Sequence, residues 1–182
     1  MSLRSYLHKM RGTTAGTPPR VSNSEIVWSW IGAFLGIAAV AGAGQFMFSG
    51  TDLTLLIGSY GASAVLLYGA FRSPLAQPRN LLGGHLISAL VGVVCWQLFQ
   101  EAPWLAQALA VASAIALMQL TRTLHPPGGA TALIAVIGSP DIHAMGYWYV
   151  LVPGFIGPLI LLLVALLVNN IPLTRRYPET WF

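Results

Sequence analysis

The chain has 182 residues, of which 55% are hydrophobic and only 8% charged, with a formal net charge of +4. That balance excludes an ordinary soluble domain, in which about a quarter of the residues carry charge. The Lys and Arg residues are spread over connecting segments, a pattern of membrane topology signals and not of a nucleic-acid surface.

Residues 1–24 are polar and basic, with Arg4, Lys9, Arg11 and Arg20. They lack the apolar core of a secretory signal. Ser2–Arg11 fits either a short interfacial helix, with Leu3, Tyr6, Leu7 and Met10 toward lipid, or a frayed tail. Long apolar runs follow at Ile26–Phe48, Leu53–Phe71, Leu81–Phe99, Trp104–Leu120 and Tyr147–Val168. Each is free of Asp, Glu, Lys and Arg and approaches the roughly 20 residues that cross a bilayer. A further run, Ala130–Gly138, is short: at about 1.5 Å per residue it covers about half of a ~30 Å hydrocarbon core. The expected fold is all-α, a polytopic transmembrane helical bundle of about six segments. The expected domain lies at 25–170, with halves 26–99 and 104–170, between a cytoplasmic N-terminal segment (1–24) and a cytoplasmic tail (171–182).

Lys and Arg favour the cytoplasmic side. Six alternating crossings that start inside place Arg72, Arg79, Arg122, Arg175 and Arg176 inside as well. The loops at Asp52, Glu101 and Asp141 then fall outside. A re-entrant fifth segment would put Arg175 and Arg176 on the opposite side. The chain is therefore expected in the cell inner (plasma) membrane with both termini cytoplasmic. Trp28, Trp30, Trp104, Tyr147, Trp148, Tyr149 and Trp181 lie near span ends and read as interfacial anchors. Cys95 lies in mid-span and reads as a small apolar packing residue. Pro153, Gly154, Gly157 and Pro158 are expected to bend the last span.

The most informative stretch is Leu124-His125-Pro126-Pro127-Gly128-Gly129-Ala130-Thr131-Ala132-Leu133. Pro removes a backbone donor and Gly weakens a helix, so the fifth segment is broken here. In lipid, such a break survives only where protein or a water-filled cavity surrounds it. The second segment breaks at Gly58-Ser59-Tyr60-Gly61, and its Gly61-Ala62-Ser63-Ala64-Val65-Leu66-Leu67 aligns with Gly129-Ala130-Thr131-Ala132-Leu133-Ile134-Ala135. Each copy is the middle of three segments. Three is odd, so the triplets enter the membrane from opposite sides, as a 3+3 inverted repeat with broken second and fifth helices, a common plan in transporters. Two half-helices would then present their N-termini, with unpaired N–H groups and partial positive charge, to one central region where an anion can bind.

Candidate binding residues are Ser59, Gly61, Ala62, Ser63, His125, Pro126, Pro127, Gly128, Gly129, Ala130 and Thr131. Ser63 and Thr131 fit site lining and close helix packing equally, while Ala62 and Ala130 fit packing better. His125 can donate to an anion or carry a proton; it can also simply cap local carbonyls. Arg79, Asn80 and His85 form a candidate inner vestibule, although Arg79 is equally readable as a headgroup anchor. The scattered histidines and single cysteine lack metal-ligand spacing. The paired glycines lack the lysine of a nucleotide loop, and no catalytic triad can be assembled. No enzyme activity, metal or cofactor is expected.

The motif His125-Pro126-Pro127-Gly128-Gly129-Ala130-Thr131-Ala132, with Gly61–Leu67, Pro74-Leu75-Ala76-Gln77-Pro78-Arg79-Asn80 and Gly83-Gly84-His85, resembles the HPP family of integral membrane proteins over roughly residues 25–170. Members in cyanobacteria and chloroplasts are associated with nitrite transport. The resemblance therefore implies a permease for a small inorganic monoanion, nitrite foremost, bound near the bilayer midplane. Expected partners are that anion, the lipid bilayer and a second copy of the chain in a homo-oligomer, with no nucleic acid. A membrane scaffold whose breaks serve only helix packing is the alternative.

Overall fold

A computed structural model describes residues 3–10, 16, 19–48 and 57–182. Ser2, Arg11, the Ser49–Asp52 loop and the start of the second apolar run at Leu53 lie outside the described residues, as does the side chain of Leu3. The described residues form helices α1 (Leu3–Lys9), α2 (Asn23–Met47), α3 (Ser59–Ala64), α4 (Pro78–Leu98), α5 (Pro103–Leu120), α6 (Pro127–Ile137), α7 (Pro140–Met145), α8 (Trp148–Leu151) and α9 (Gly157–Val168). A wide π-helical turn, Val65–Gly69, continues α3, and another, Val152–Ile156, joins α8 to α9. Among the described residues, four helical stretches are long and apolar enough to cross a membrane: Asn23–Met47, Pro78–Leu98, Pro103–Leu120 and Trp148–Val168. The protein is an all-helical membrane bundle, with two short apolar helical stretches, α3 and α6, between the long ones.

Small residues set how closely these helices approach. The buried positions of α2 are Gly32, Gly36, Val40 and Gly44, spaced one turn apart. A Cβ at Gly32 or Gly36 would fall on the ring of Tyr68, whose hydroxyl donates to the Leu161 carbonyl at 3.0 Å. The ring thus fills the gap between α2 and α9. On α5 the buried stripe is Ala106, Ala110, Ala114 and Met118, which packs against α4 and α6. Cys95 is buried and free in this second apolar cluster, as expected of a packing residue. Exposed Trp30, Phe34, Trp104 and Trp148 cover the outside, where lipid replaces water.

Hydrogen bonds fix which segment ends lie together. Arg72 donates to the Thr174 carbonyl at 2.9 Å and Arg79 to the Thr121 carbonyl at 2.8 Å. Arg175 pairs with Glu25 at 2.8 Å. These contacts gather the start of α2, the turns before α4 and after α5, and the tail after α9 at one basic end. At the other end, Tyr147 donates to Gln97 at 3.1 Å and Trp96 stacks on His143, with ring centroids 3.7 Å apart. The fifth segment therefore passes from one end to the other. The three-residue lead Thr123–His125 can span roughly 10 Å, and the eleven residues of α6 add about 16 Å. The start of α2 and the tail after α9 lie at the same end of the bundle, as six alternating segments require.

The tail is locked there. Arg175 is buried and donates to Glu25 Oε2 (2.8 Å), the Glu25 carbonyl (2.8 Å), Ser29 Oγ (2.9 Å), Asn169 Oδ1 (3.0 Å) and the Tyr68 carbonyl (3.3 Å). Farther along, Tyr177 donates to the Ala76 carbonyl at 2.8 Å, and burial pushes its phenol well above the ordinary range. By contrast, Arg72 and Glu179 are 3.9 Å apart and largely exposed. Arg175→Ala is therefore expected to destabilise the protein by roughly 3 kcal/mol, the cost of stranding a partly buried partner. Arg72→Ala should cost less than about 1 kcal/mol. Thermal unfolding of both variants in detergent checks this; equal losses would show that Arg175 is not the clamp.

Candidate functional site

Each half-helix starts inside the bundle for a local reason. In α6, Pro127 takes the first helical position, where its missing N–H removes no helical bond. The chain ahead of it has to satisfy its backbone without a helix. The Leu124 carbonyl accepts from Asn80 Nδ2 at 2.9 Å, that of His125 from the Gly128 N–H at 2.8 Å, and that of Pro126 from the Gly129 N–H at 3.0 Å. The break is also tight. A Cβ on Gly128 would lie 2.6 Å from Ser88 Oγ and 3.0 Å from the Gly84 carbonyl, and one on Gly84 would meet the His125 Cβ at 2.5 Å. Helix α4 thus presses its Gly84 face against the broken strand.

The half-helices run in opposite senses and their first turns lie side by side. Where they overlap, five side chains form a continuous hydrogen-bonded chain. His125 Nδ1 lies 2.8 Å from the Leu75 carbonyl, and its Nε2 lies 2.9 Å from Ser63 Oγ. Ser63 Oγ lies 2.8 Å from His85 Nε2, and His85 Nδ1 lies 2.8 Å from Thr131 Oγ1. Thr131 Oγ1 lies 2.9 Å from Ser59 Oγ. All five side chains are fully buried. Ser63 and Thr131, the aligned positions of the two repeat halves, bind the two nitrogens of a single ring, His85. Tyr60 packs edge-on against that ring, with centroids 5.7 Å apart, and donates to the Pro153 carbonyl in the second π-helical turn. The expected bend of the last span is that turn, into which Tyr60 reaches. Tyr149 donates to the Thr131 carbonyl at 2.9 Å.

The structure brings Ser59, Ser63, His85, His125 and Thr131 together and sorts the other candidates differently. Gly61, Ala62, Pro126 and Ala130 point outward. Gly129 is half-buried near Val111. Pro127 and Gly128 are buried supports of the break. Arg79 and Asn80 do not join His85 in a vestibule; they brace the turn at Thr121–Leu124. At α6 the free N–H groups anticipated at the helix start are not available: Pro127 has none, and those of Gly128 and Gly129 are taken by local carbonyls. Side-chain hydroxyls and imidazoles line the meeting point instead. Tyr149, expected as an interfacial anchor, is buried beside the site. A separate cleft of about 600 Å³ opens at the basic end, lined by Glu25, Phe71, Arg72, Ser73 and Thr174 among others. None of its lining residues belongs to the buried chain.

Comparison with known proteins agrees with this architecture. The family described as "HPP, transmembrane region" matches residues 18–178. Two transmembrane proteins of Dictyostelium discoideum are each 43% identical, over 186 and 180 residues. The matches cover 100% and 97% of this chain but 65% and 57% of those proteins, so the chain spans less than two thirds of their length. No solved structure matches.

The two adjacent glycines of the motif are expected to behave differently. Gly128→Ala forces a Cβ into the α4 contact and should cost about 1–3 kcal/mol. Gly129→Ala meets only Val111 Cγ1, at 3.8 Å, and should be neutral or gain up to about 1 kcal/mol from helix propensity. Melting temperatures of the two purified variants decide it; equal losses would refute the close approach of α4.

Proposed function

The chain belongs to the HPP family of transmembrane proteins, and on that premise we propose that it is a permease or channel for a small monovalent anion, with nitrite the leading substrate. The observation that carries this reading is the fully buried chain of hydroxyls and imidazoles where two half-helices overlap. Polar groups at that depth are costly and mark solute pathways in membrane proteins. Broken segments at matching positions of two inverted halves are the plan on which many transporters build a central site. A monoanion leaving water needs donors to replace its hydration. Ser59, Ser63 and Thr131 supply rotatable O–H groups, and neither a carboxylate nor a fixed cation hydrogen-bonds to them among the described residues. The basic end, with Arg72 at the rim of the cleft, favours the approach of anions by its field. With that end cytoplasmic, both termini are cytoplasmic too. Nitrite is the anion that the family resemblance implies. The protein acts by conducting, with no cofactor and no chemical turnover.

The chain is closed on itself, since each hydroxyl and ring nitrogen in it already has a partner. An anion therefore enters by exchanging these bonds. Replacing Ser59 by Ala and Thr131 by Val together keeps the shape but removes two donors. A hydrogen bond to a charged group contributes about 1.5–3 kcal/mol, so nitrite uptake into proteoliposomes should fall by roughly 10- to 100-fold. Wild-type vesicles that take up nitrite no faster than protein-free lipid would reject the permease and leave the scaffold reading in its place.

A further inference from the structure

We propose that the five buried side chains hold one exchangeable proton, shared by His85 and His125 through the Ser63 hydroxyl, and that this proton crosses together with the anion, one for one. The inference rests on the anion reading above and adds the coupling ion to it.

It comes from counting hydrogens. The Leu75 carbonyl can only accept, so His125 Nδ1 carries a hydrogen. In a neutral His125, Nε2 is then bare and must accept from Ser63. Ser63 has one hydrogen, so the contact on its other side requires His85 Nε2 to donate to Ser63 Oγ. Neutral His85 then has a bare Nδ1, and Thr131 has no hydrogen to give it, because Thr131 donates its own to Ser59. The neutral chain is thus one hydrogen short.

One added proton completes every bond. With His125 as the cation, its Nε2–H donates to Ser63, Ser63 donates to His85 Nε2, and His85 Nδ1–H donates to Thr131. With His85 as the cation, Ser63 donates to His125 instead. The step between these forms is balanced. The His125 Nε2–H bond breaks as that proton joins Ser63 Oγ, and the former Ser63 proton passes to His85 Nε2. In both cationic forms Thr131 donates to Ser59, as the structure has it. Proton uptake therefore completes the chain and places one positive charge in it.

The surroundings make the pairing strict. The titratable groups packed beside the imidazoles are the Tyr60 phenol of α3 and, through the Thr131 carbonyl, the Tyr149 phenol of α8. Gly84 of α4 and Met118 of α5 close the remaining sides. Among the described residues no formally charged side chain hydrogen-bonds to either ring. A lone cation or a lone anion is costly in such a place, whereas the two together are neutral. The chain also runs inward from one end of the bundle: His125 and Ser63 sit on the side of the basic end, and Ser59 lies deeper.

Proteoliposomes holding a pH dye and a potassium–valinomycin clamp, given an inward sodium nitrite gradient, provide the test. Expected results are one proton entering per nitrite above the protein-free background, no dependence on membrane potential, and uphill nitrite uptake under an acid-outside gradient. Ser63→Ala should lower the acid-driven uptake about tenfold or more. Nitrite entry without protons would overturn the coupling and leave the anion reading intact. No protein-dependent nitrite entry would overturn both. Nitrogen NMR of histidine-labelled wild-type protein at alkaline pH tests the chain without transport and without relying on a variant that folds. His125 should carry its hydrogen on Nδ1, toward the Leu75 carbonyl, and a bare Nδ1 there would refute the hydrogen count.

Discussion

Backbone that leaves the helical path inside lipid must find partners within the protein, because no water is there to supply them. That constraint organises the bundle around the Thr121–Pro127 stretch. Arg79 and Asn80 reach across from α4 to the carbonyls of Thr121 and Leu124, and the two motif glycines turn their N–H groups back onto His125 and Pro126. Helix α4 must lie close enough for this, which explains Gly84 and Gly128 at its point of approach. Once the strand is held, His125 has a fixed place from which it meets Ser63, and the polar chain follows. The site is thus a product of how the break is supported, and removing the supports disturbs the site before any of its own atoms are touched.

Much of the fold was legible in the sequence because lipid imposes a simple rule of length. The four long helices end within a few residues of the apolar runs, and Pro127 starts α6 where the Pro-Pro step demands. The alignment of Gly61–Leu67 with Gly129–Ala135 was also informative, since Ser63 and Thr131 sit at equivalent places around His85. What sequence could not give was direction around each helix. Gly128 and Gly129 are neighbours of identical chemistry, yet one is pressed against α4 and the other has room. Tyr147, Trp148 and Tyr149 form one aromatic cluster by composition, but only Tyr149 turns inward to the Thr131 carbonyl. Likewise Arg79, Asn80 and His85 share a short stretch, but their roles divide. His85 lies about 10 Å into α4 by helical rise, deep enough to leave the basic end behind.

A single histidine meets both of the aligned stretches, Gly61–Leu67 and Gly129–Ala135. His85 meets Ser63 through one nitrogen and Thr131 through the other, at 2.8 Å each. His125, from the other half, extends the chain from Ser63 toward Leu75. The polar chain thus has two different ends, a backbone carbonyl at Leu75 and a hydroxyl at Ser59.

The lock made by Arg175 has a consequence for biosynthesis. Its carboxylate partner, Glu25, lies in α2, and the guanidinium that neutralises it is made some 150 residues later. Until then the Glu25 carboxylate is an unfinished polar contact at the rim of the bundle. Docking of the segment after α9 is therefore what finishes α2, and a nascent chain stalled before Arg175 leaves that carboxylate without its counter-charge.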